Sequence, residues 1–145
     1  MYSNIIVATD GSEIAGRAIA HAIDLAKLSS AKLTAVTVTE PFQVIATETG
    51  VGIVPPDDYE EKSKAYAQEL LGKVVRDAEA AGVTCDTVHR TDRWPYQAII
   101  NAAEDKGGDL IVMGSHGRSG IEGLLLGSQS VKLLTHTKIP ALVIR

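Results

Sequence analysis

Five glycines and several hydroxyl side chains are concentrated in residues 112–130, VMGSHGRSGIEGLLLGSQS. Gly114 follows a short apolar run, Gly117 comes three residues later, and Gly127 stands directly before Ser128 and a helical pattern. Glycine lets a backbone approach a ligand closely or adopt a positive φ, and the first turn of a helix presents N–H groups without intrahelical partners. The spacing therefore predicts an anion-binding site, with phosphate as the expected ligand. The alternative, a flexible connector whose glycines serve only turns, stays open.

Hydroxyl and cationic side chains accompany these glycines. Ser128 is placed to cap the helix or to give its hydroxyl to a phosphate or a metal-bound water, and Ser130 adds a second hydroxyl. His116 and Arg118 lie inside the glycine segment, where they would neutralise phosphate charge. Two solvated loop residues are the competing interpretation of this pair.

A second polar position, Asp10, ends an apolar run in ATDGS. Its carboxylate would accept hydrogen bonds from a ribose hydroxyl or an adenine amine, or it would form an Asx turn or a cap ahead of the first helix. The spacing alone does not choose between these two interpretations.

Several familiar catalytic and metal sites are excluded by the residues present. No Gly-x4-Gly-Lys-Ser/Thr occurs, no Gly-x-Gly-x-x-Gly follows the first strand, and no HExxH, catalytic triad order or paired-carboxylate pattern is visible. The four histidines lack metal-ligand spacing, and Cys85 is the only cysteine, which excludes an intramolecular disulfide. Without a P-loop lysine, an evident base or an arginine finger, we expect little or no nucleotide hydrolysis.

Composition sets the class of protein and of partner. The 145 residues predict a single domain, 1–145, with one core. The net charge of −4 disfavours non-specific binding to nucleic acid or anionic lipid. The opening residues show no basic leader, and their apolar run is too short for a membrane span, so a cytoplasmic protein is expected.

Strand and helix patterns alternate along the chain. Five short apolar or β-branched runs predict strands, and amphipathic stretches between them predict helices. This alternation predicts an α/β fold with a mostly parallel sheet, helices on both faces and a ligand site beyond the carboxyl ends of the strands. The third run alternates in polarity and predicts an edge strand. The predicted strands are Asn4–Thr9, Lys32–Val38, Thr84–Arg90, Asp109–Gly114 and Ala141–Arg145.

Capping residues predict where the helices begin and end. Ser12 is a candidate N-cap, Gly82 a terminating glycine, and Pro95 a residue of the first turn of the third helix. The second helix is predicted to open at Asp57 or Asp58, and the fourth to begin near Ser128 and stop at Pro140. The long irregular segment 39–58 predicts a lid or a partner-binding arm, with partial disorder as the alternative.

Taken together, the motifs IIVATDGS, DLIVMGSHGRSG, LLLGSQS and IPALVIR resemble the universal stress proteins over the whole chain. The motif Gly-x2-Gly-x9-Gly-Ser, here Gly114, Gly117, Gly127 and Ser128, distinguishes the ATP-binding branch of that family. The resemblance implies a three-layer α/β/α fold, Rossmann-like and adenine nucleotide alpha hydrolase-like, with a five-stranded parallel sheet of order 3-2-1-4-5. It also implies a homodimer that pairs through the last strand.

The same resemblance implies roles for individual residues around ATP, ADP or AMP, with Mg²⁺ or Mn²⁺ bound alongside. Asp10 would lie at the ribose or adenine, Val38 would contact the adenine through its backbone, and Met113 with Gly114 would line the sugar. Gln129 replaces the small β-branched residue more typical of its position. The implied binding set is Ala8, Thr9, Asp10, Val38, Met113, Gly114, His116, Gly117, Arg118, Gly127, Ser128, Gln129 and Ser130.

The expected function is that of a nucleotide-binding protein of the stress response with little or no turnover. Two alternatives remain from the sequence. One is a slow ATPase or nucleotidyl-transfer enzyme that uses the same site, with His116 or Ser130 in a chemical role. The other is an interaction module that binds its partner independently of nucleotide.

Overall fold

Strands and helices alternate from the first strand to the last in this computed structural model, which describes residues 1–42, 58–116 and 126–145. The sheet order is β3-β2-β1-β4-β5, and every pair of neighbouring strands is parallel. The predicted α/β class and the strand order 3-2-1-4-5 are confirmed. The elements are β1 (Asn4–Ala8), α1 (Glu13–Ser29), β2 (Lys32–Thr39), α2 (Tyr59–Ala80), β3 (Cys85–Thr91), α3 (Pro95–Asp105), β4 (Leu110–Gly114), α4 (Ser128–His136) and β5 (Ala141–Ile144).

Helices cover both faces of the sheet, which explains the continuous apolar character of β1. Ile5 belongs to a buried cluster that includes Ile14 of α1 and Leu71 of α2. Its neighbour Ile6 points to the opposite face, into a cluster that includes Leu133 of α4. Both isoleucines are fully buried, so each side of this strand contributes to the core.

The alternating third strand lies at the edge of the sheet, as predicted. β3 pairs only with β2, and Val88 is its one buried residue. β5 forms the other edge. Each predicted strand end lies within one residue of the observed end.

Most predicted helix boundaries are also observed. The Ser12 hydroxyl accepts a hydrogen bond from the Ala15 N–H at 3.3 Å and caps α1. Gly82 follows α2 with a φ of +79°, the left-handed conformation expected of a terminating glycine. Pro95 is the first residue of α3. Among the described helices, none combines the length and apolar character needed to cross a membrane.

α2 opens at Asp58, one of the two predicted residues, although the Asp58 side chain makes no capping bond; Asp57 lies outside the described residues. Two details of the helix ends differ from the predictions. The N-cap of α4 is Gly127, so Ser128 is the first helical residue and does not cap the helix. α4 ends at His136, where the next residue becomes extended, so Pro140 is not what stops it.

Candidate functional site

A cleft of about 490 Å³ opens beyond the carboxyl ends of β1, β2 and β4. The strand order reverses here, because the chain moves outward from β1 to β2 and β3 on one side and continues through β4 and β5 on the other. Ligands of doubly wound sheets bind at this reversal. The cleft therefore lies where the fold itself favours binding.

The predicted binding residues that fall in the described part of the chain all line this cleft. Gly117 and Arg118 lie outside the described residues, as does most of the predicted lid or arm at 39–58. The fold thus brings together residues from the ends of three strands and the start of one helix. The residues so placed are Ala8, Thr9, Asp10, Val38, Met113, Gly114, His116, Gly127, Ser128, Gln129 and Ser130.

The start of α4 faces the cleft without a side-chain cap. Gly127 occupies the N-cap position and has no side chain to offer, and its own N–H donates to the Ser115 carbonyl at 2.6 Å. The next three amides, of Ser128, Gln129 and Ser130, find no acceptor among the described residues. Such amides at the positive end of a helix dipole form a natural anion site.

The two glycines of this region are required for close packing. A Cβ atom on Gly127 would lie 3.1 Å from the His116 Cα and 3.2 Å from the Ser115 oxygen. A Cβ on Gly114 would lie 3.0 Å from the Ile14 Cγ2. Neither glycine has a positive φ, so the predicted positive φ is not observed at these two positions.

Ser130 ties the start of α4 to the end of β4. Its side chain is 2% exposed, and its hydroxyl donates to the carbonyls of Gly114 at 3.1 Å and Ser115 at 3.2 Å. Its one proton is therefore used within the protein. The oxygen retains lone pairs, but a phosphate needs donors.

Asp10 forms the Asx turn that was one of its two interpretations. Its Oδ1 accepts a hydrogen bond from the Ser12 N–H at 2.9 Å, and the Thr9 hydroxyl oxygen accepts one from Gly11 N–H at 3.2 Å. Asp10 also lines the cleft. A carboxylate offers about four acceptor positions, so the turn and a contact with a ligand are compatible.

Gln129 connects the two helices on its side of the cleft. Its side-chain oxygen accepts a hydrogen bond from the Tyr96 N–H at 3.1 Å, in the first turn of α3. The amide at this position, unusual for the family that the sequence resembles, thus satisfies one of the free N–H groups of α3.

Sequence reasoning missed part of the cleft wall, although the strand-end rule could have found some of it. Arg93, Trp94 and Pro95 follow β3, which is a neighbour of β2, so they lie at the same edge of the sheet. Trp94, which directly precedes Pro95, is 52% exposed. The residues missed are Ala15, Val36, Glu40, Arg93, Trp94, Pro95 and Ile99.

The described residues give little support for a protein-bound metal ion or for a reactive cysteine. No group of three or more His, Cys, Asp or Glu side chains in the described segments is arranged to hold a metal ion. Burial raises the pKa of the Cys85 thiol, which disfavours the reactive thiolate. The strand position and half-buried environment of Cys85 fit a packing role.

Comparison with known proteins gives the family. The universal stress protein family profile matches residues 1–145. The universal stress protein MJ0531 of Methanocaldococcus jannaschii is 35% identical, covering 100% of this chain and 83% of that protein. The structure of the protein MJ0577 has a TM-score of 0.83 at 25% identity, covering 99% of this chain and 96% of that one. A universal stress protein solved in complex with cAMP has a TM-score of 0.74 at 27% identity, covering 99% and 97%. With a family match along its whole length, this chain belongs to the universal stress protein family.

Proposed function

We propose that this chain binds an adenine nucleotide in the cleft, with ATP as the main candidate and ADP or AMP as alternatives. The observation that carries the proposal is the uncapped start of α4. Three amides there face a cleft and find no acceptor among the described residues, whereas the Ser12 side chain caps α1. An anionic ligand would supply the missing acceptors.

The remaining lining residues suggest how a nucleotide would be oriented. Val36, Val38, Ile99 and Met113 provide an apolar wall suited to a purine base. Asp10, at the end of β1, would accept hydrogen bonds from the ribose. Phosphates would then lie at the start of α4, beside Gly127, whose missing side chain lets the backbone of residues 115 and 116 pack against it.

A similar protein supports the class of ligand. The universal stress protein solved with cAMP is 27% identical to this chain and shares its fold over 99% of its length. An adenine nucleotide is therefore the first ligand to test here.

A divalent cation would depend on the nucleotide for most of its ligands. The described residues contain no cluster of three or more metal-binding side chains. Mg²⁺ commonly binds phosphate oxygens and waters with few protein ligands, and the Ser128 hydroxyl stands at the cleft beside the proposed phosphates. Mg²⁺ or Mn²⁺ would then supply charge neutralisation.

We propose that occupancy, and not turnover, is the useful state of this site. The Ser130 proton is directed to two backbone carbonyls and not to a base, so Ser130 is not activated as a nucleophile. The His116 Nδ1 lies 3.3 Å from the Ser115 hydroxyl, its neighbour in sequence. No carboxylate of the described residues bonds to His116 to orient it as a base, and we expect ATP hydrolysis at or near background.

The ligand carried through native purification tests this function directly. Mass spectrometry of the extracted small molecules should show adenine nucleotide, and calorimetry of ligand-free protein should show saturable ATP binding. Gly127→Val should remove this binding, because its side chain presses on the backbone of residues 115 and 116.

Gly16→Ala is the matched control, since a Cβ at Gly16 meets no atom within 4 Å. It should bind ATP like the wild type, and circular dichroism should show that both variants are folded. A wild-type protein that binds no adenine nucleotide by either method would refute the proposal.

A further inference from the structure

A cationic and aromatic cluster borders the cleft on the side of α3 and α4. It consists of Arg93, Trp94 and Lys132, and is called the Trp94 cluster below. The Arg93 guanidinium carbon lies 5.9 Å from the centroid of the Trp94 ring, and the Lys132 ammonium nitrogen lies 5.5 Å from it. Both distances are within the range of cation–π interactions. None of the three residues belongs to the predicted binding set.

Core packing does not explain the position of Trp94. The side chain is 52% exposed and belongs to neither of the two hydrophobic clusters of the described core. It lines the cleft together with Arg93. Within residues 1–42, 58–116 and 126–145, its ring contacts two cations, one from its own loop and one from α4.

Two helix starts bring the cluster together. Trp94 occupies the N-cap position of α3, and the bond from the Tyr96 N–H to Gln129 holds this end of α3 against the start of α4. Lys132 lies one turn after Ser128, and helical side chains lean toward the N-terminus of their helix. The Lys132 ammonium nitrogen also lies 5.8 Å from the centroid of the Tyr96 ring, in the first turn of α3.

The charges around the cleft are divided between its sides. The carboxylates of Asp10 and Glu40 belong to the loops after β1 and β2. Arg93 and Lys132 form no salt bridge with any carboxylate in the described segments. One carboxylate, that of Asp92, also lies here and accepts a hydrogen bond from the Trp94 N–H at 2.8 Å. In a chain of net charge −4, the two cations against this one carboxylate leave the cluster with a local positive charge. An anion that begins at the α4 amides and continues outward would meet these two cations.

We infer that the Trp94 cluster binds the distal phosphates of the nucleotide and makes the cleft select nucleoside triphosphates over monophosphates and cyclic monophosphates. The inference rests on the proposed binding of adenine nucleotides at this cleft. A second nucleobase stacked on Trp94 would have to displace the cations from the ring, whereas a polyphosphate would bind them where they lie. Trp94 is then a positioning residue that holds Arg93 and Lys132 at the mouth of the cleft.

The emission of Trp94 provides a specific probe, because it is the only tryptophan of the chain. Titration with ATP or with inorganic tripolyphosphate should change this emission in a saturable way, since phosphates bound to the two cations would change the electric field at the indole ring. AMP and cAMP should bind, as measured by calorimetry, with little change in emission.

Charge-removing variants give the second readout. Arg93→Gln and Lys132→Gln should each weaken ATP binding by about fivefold, the upper range for a partly exposed charge pair. The dissociation constant for AMP should stay within about twofold of the wild-type value. A change of that size is too small to indicate a lost contact. Lys27→Gln is the matched control, because Lys27 lies in the last turn of α1, away from the strand ends that form the cleft.

Each outcome decides between the inference and the function on which it rests. If the two variants lose equal affinity for ATP and AMP, or lose none for either, the proposed role of the Trp94 cluster is wrong. Nucleotide binding at the cleft would still stand. An emission change with AMP as large as that with ATP would overturn it as well. Failure of the wild type to bind any adenine nucleotide would overturn both proposals.

Discussion

A side chain would be unfavourable at two glycines beside the cleft, for different physical reasons. Gly11 has a φ of +80°, and a Cβ there would lie 2.9 Å from the Leu70 Cδ2 of α2. Gly127 has a φ of −59°, and its constraint comes from the nearby backbone of His116. Substitution at Gly11 should therefore disturb both the backbone conformation and the packing of α2, whereas substitution at Gly127 should disturb only local spacing.

We predict that Gly11→Ala lowers the free energy of unfolding by about 1–3 kcal/mol, the cost of a strained left-handed residue. Gly72→Ala should raise it by about 0.5–1 kcal/mol, because Gly72 lies inside α2 with helical backbone. The nearest atom to a Cβ at Gly72 is the mobile end of Arg76. Urea denaturation of the two variants checks the pair, and equal stabilities would contradict this account of Gly11.

At the scale of residues, sequence reasoning located the polar positions better than their contacts. Asp10 and Ser12 were placed at the start of α1, where one forms an Asx turn and the other a cap. Such bonds span two or three residues, so local sequence specifies them. The hydroxyl of Ser130 was predicted to face a phosphate, but it donates to Gly114 and Ser115. That bond depends on how α4 docks on β4, which spacing alone does not reveal.

The helices differ in which groups accept hydrogen bonds from the N–H groups of their first turns. α1 is capped by its own Ser12 side chain, α3 receives a bond from Gln129, and α2 follows Asp58 without a side-chain capping bond. α4 also starts without a side-chain cap, and its first residues line the cleft, which those of α2 do not. A helix start without a cap loses stability that a bound anion can restore.

We predict effects of different size on stability for two serines at helix starts. Ser12→Ala should lower the free energy of unfolding by about 1 kcal/mol through loss of the α1 cap. Ser128→Ala should change it by less than about 0.5 kcal/mol, because Ser128 makes no capping bond. Thermal unfolding without ligand measures both, and a large loss of stability in Ser128→Ala would show that its hydroxyl has a structural role.

At the scale of elements, periodicity and capping residues predicted the strands and helices closely, since these signals are local. The strand order was not available from the pattern and came from the family resemblance. The α3 side of the cleft, including Arg93 and Trp94, was missed because it depends on β3 lying next to β2. Strand neighbours far apart in sequence are set by packing and not by periodicity.

For the whole molecule, the last strand is the natural place for self-association. β5 is an edge strand, and Ala141, Leu142 and Val143 are only partly buried. The carbonyls of Pro140 and Ile144 accept bonds from β4. Successive residues of a strand direct their backbone N–H and C=O groups to opposite sides of the strand. The N–H and C=O groups of Ala141 and Val143 therefore point away from β4, where a second copy could pair. We therefore propose a homodimer through β5.

We predict that Val143→Pro converts this dimer to a monomer while the fold persists. Proline removes an outward N–H and is tolerated on an edge strand, so pairing with β4 should survive. Light scattering after size exclusion measures the mass, and circular dichroism confirms folding. Ile144→Pro is the contrasting variant, since it would break the bonds to β4 and destabilise the sheet. A folded Val143→Pro dimer would place the interface elsewhere.

The proposed nucleotide binding depends on phosphate binding to the uncapped start of α4. Two-dimensional ¹H–¹⁵N NMR of the ligand-free protein titrated with ATP measures this most directly. The amide resonances of Ser128, Gln129 and Ser130 should shift in a saturable way, whereas Gly82 and Gly107, at helix ends away from the cleft, should not. Saturable ATP binding that leaves those three amides unchanged, or no binding at all, would contradict the central claim.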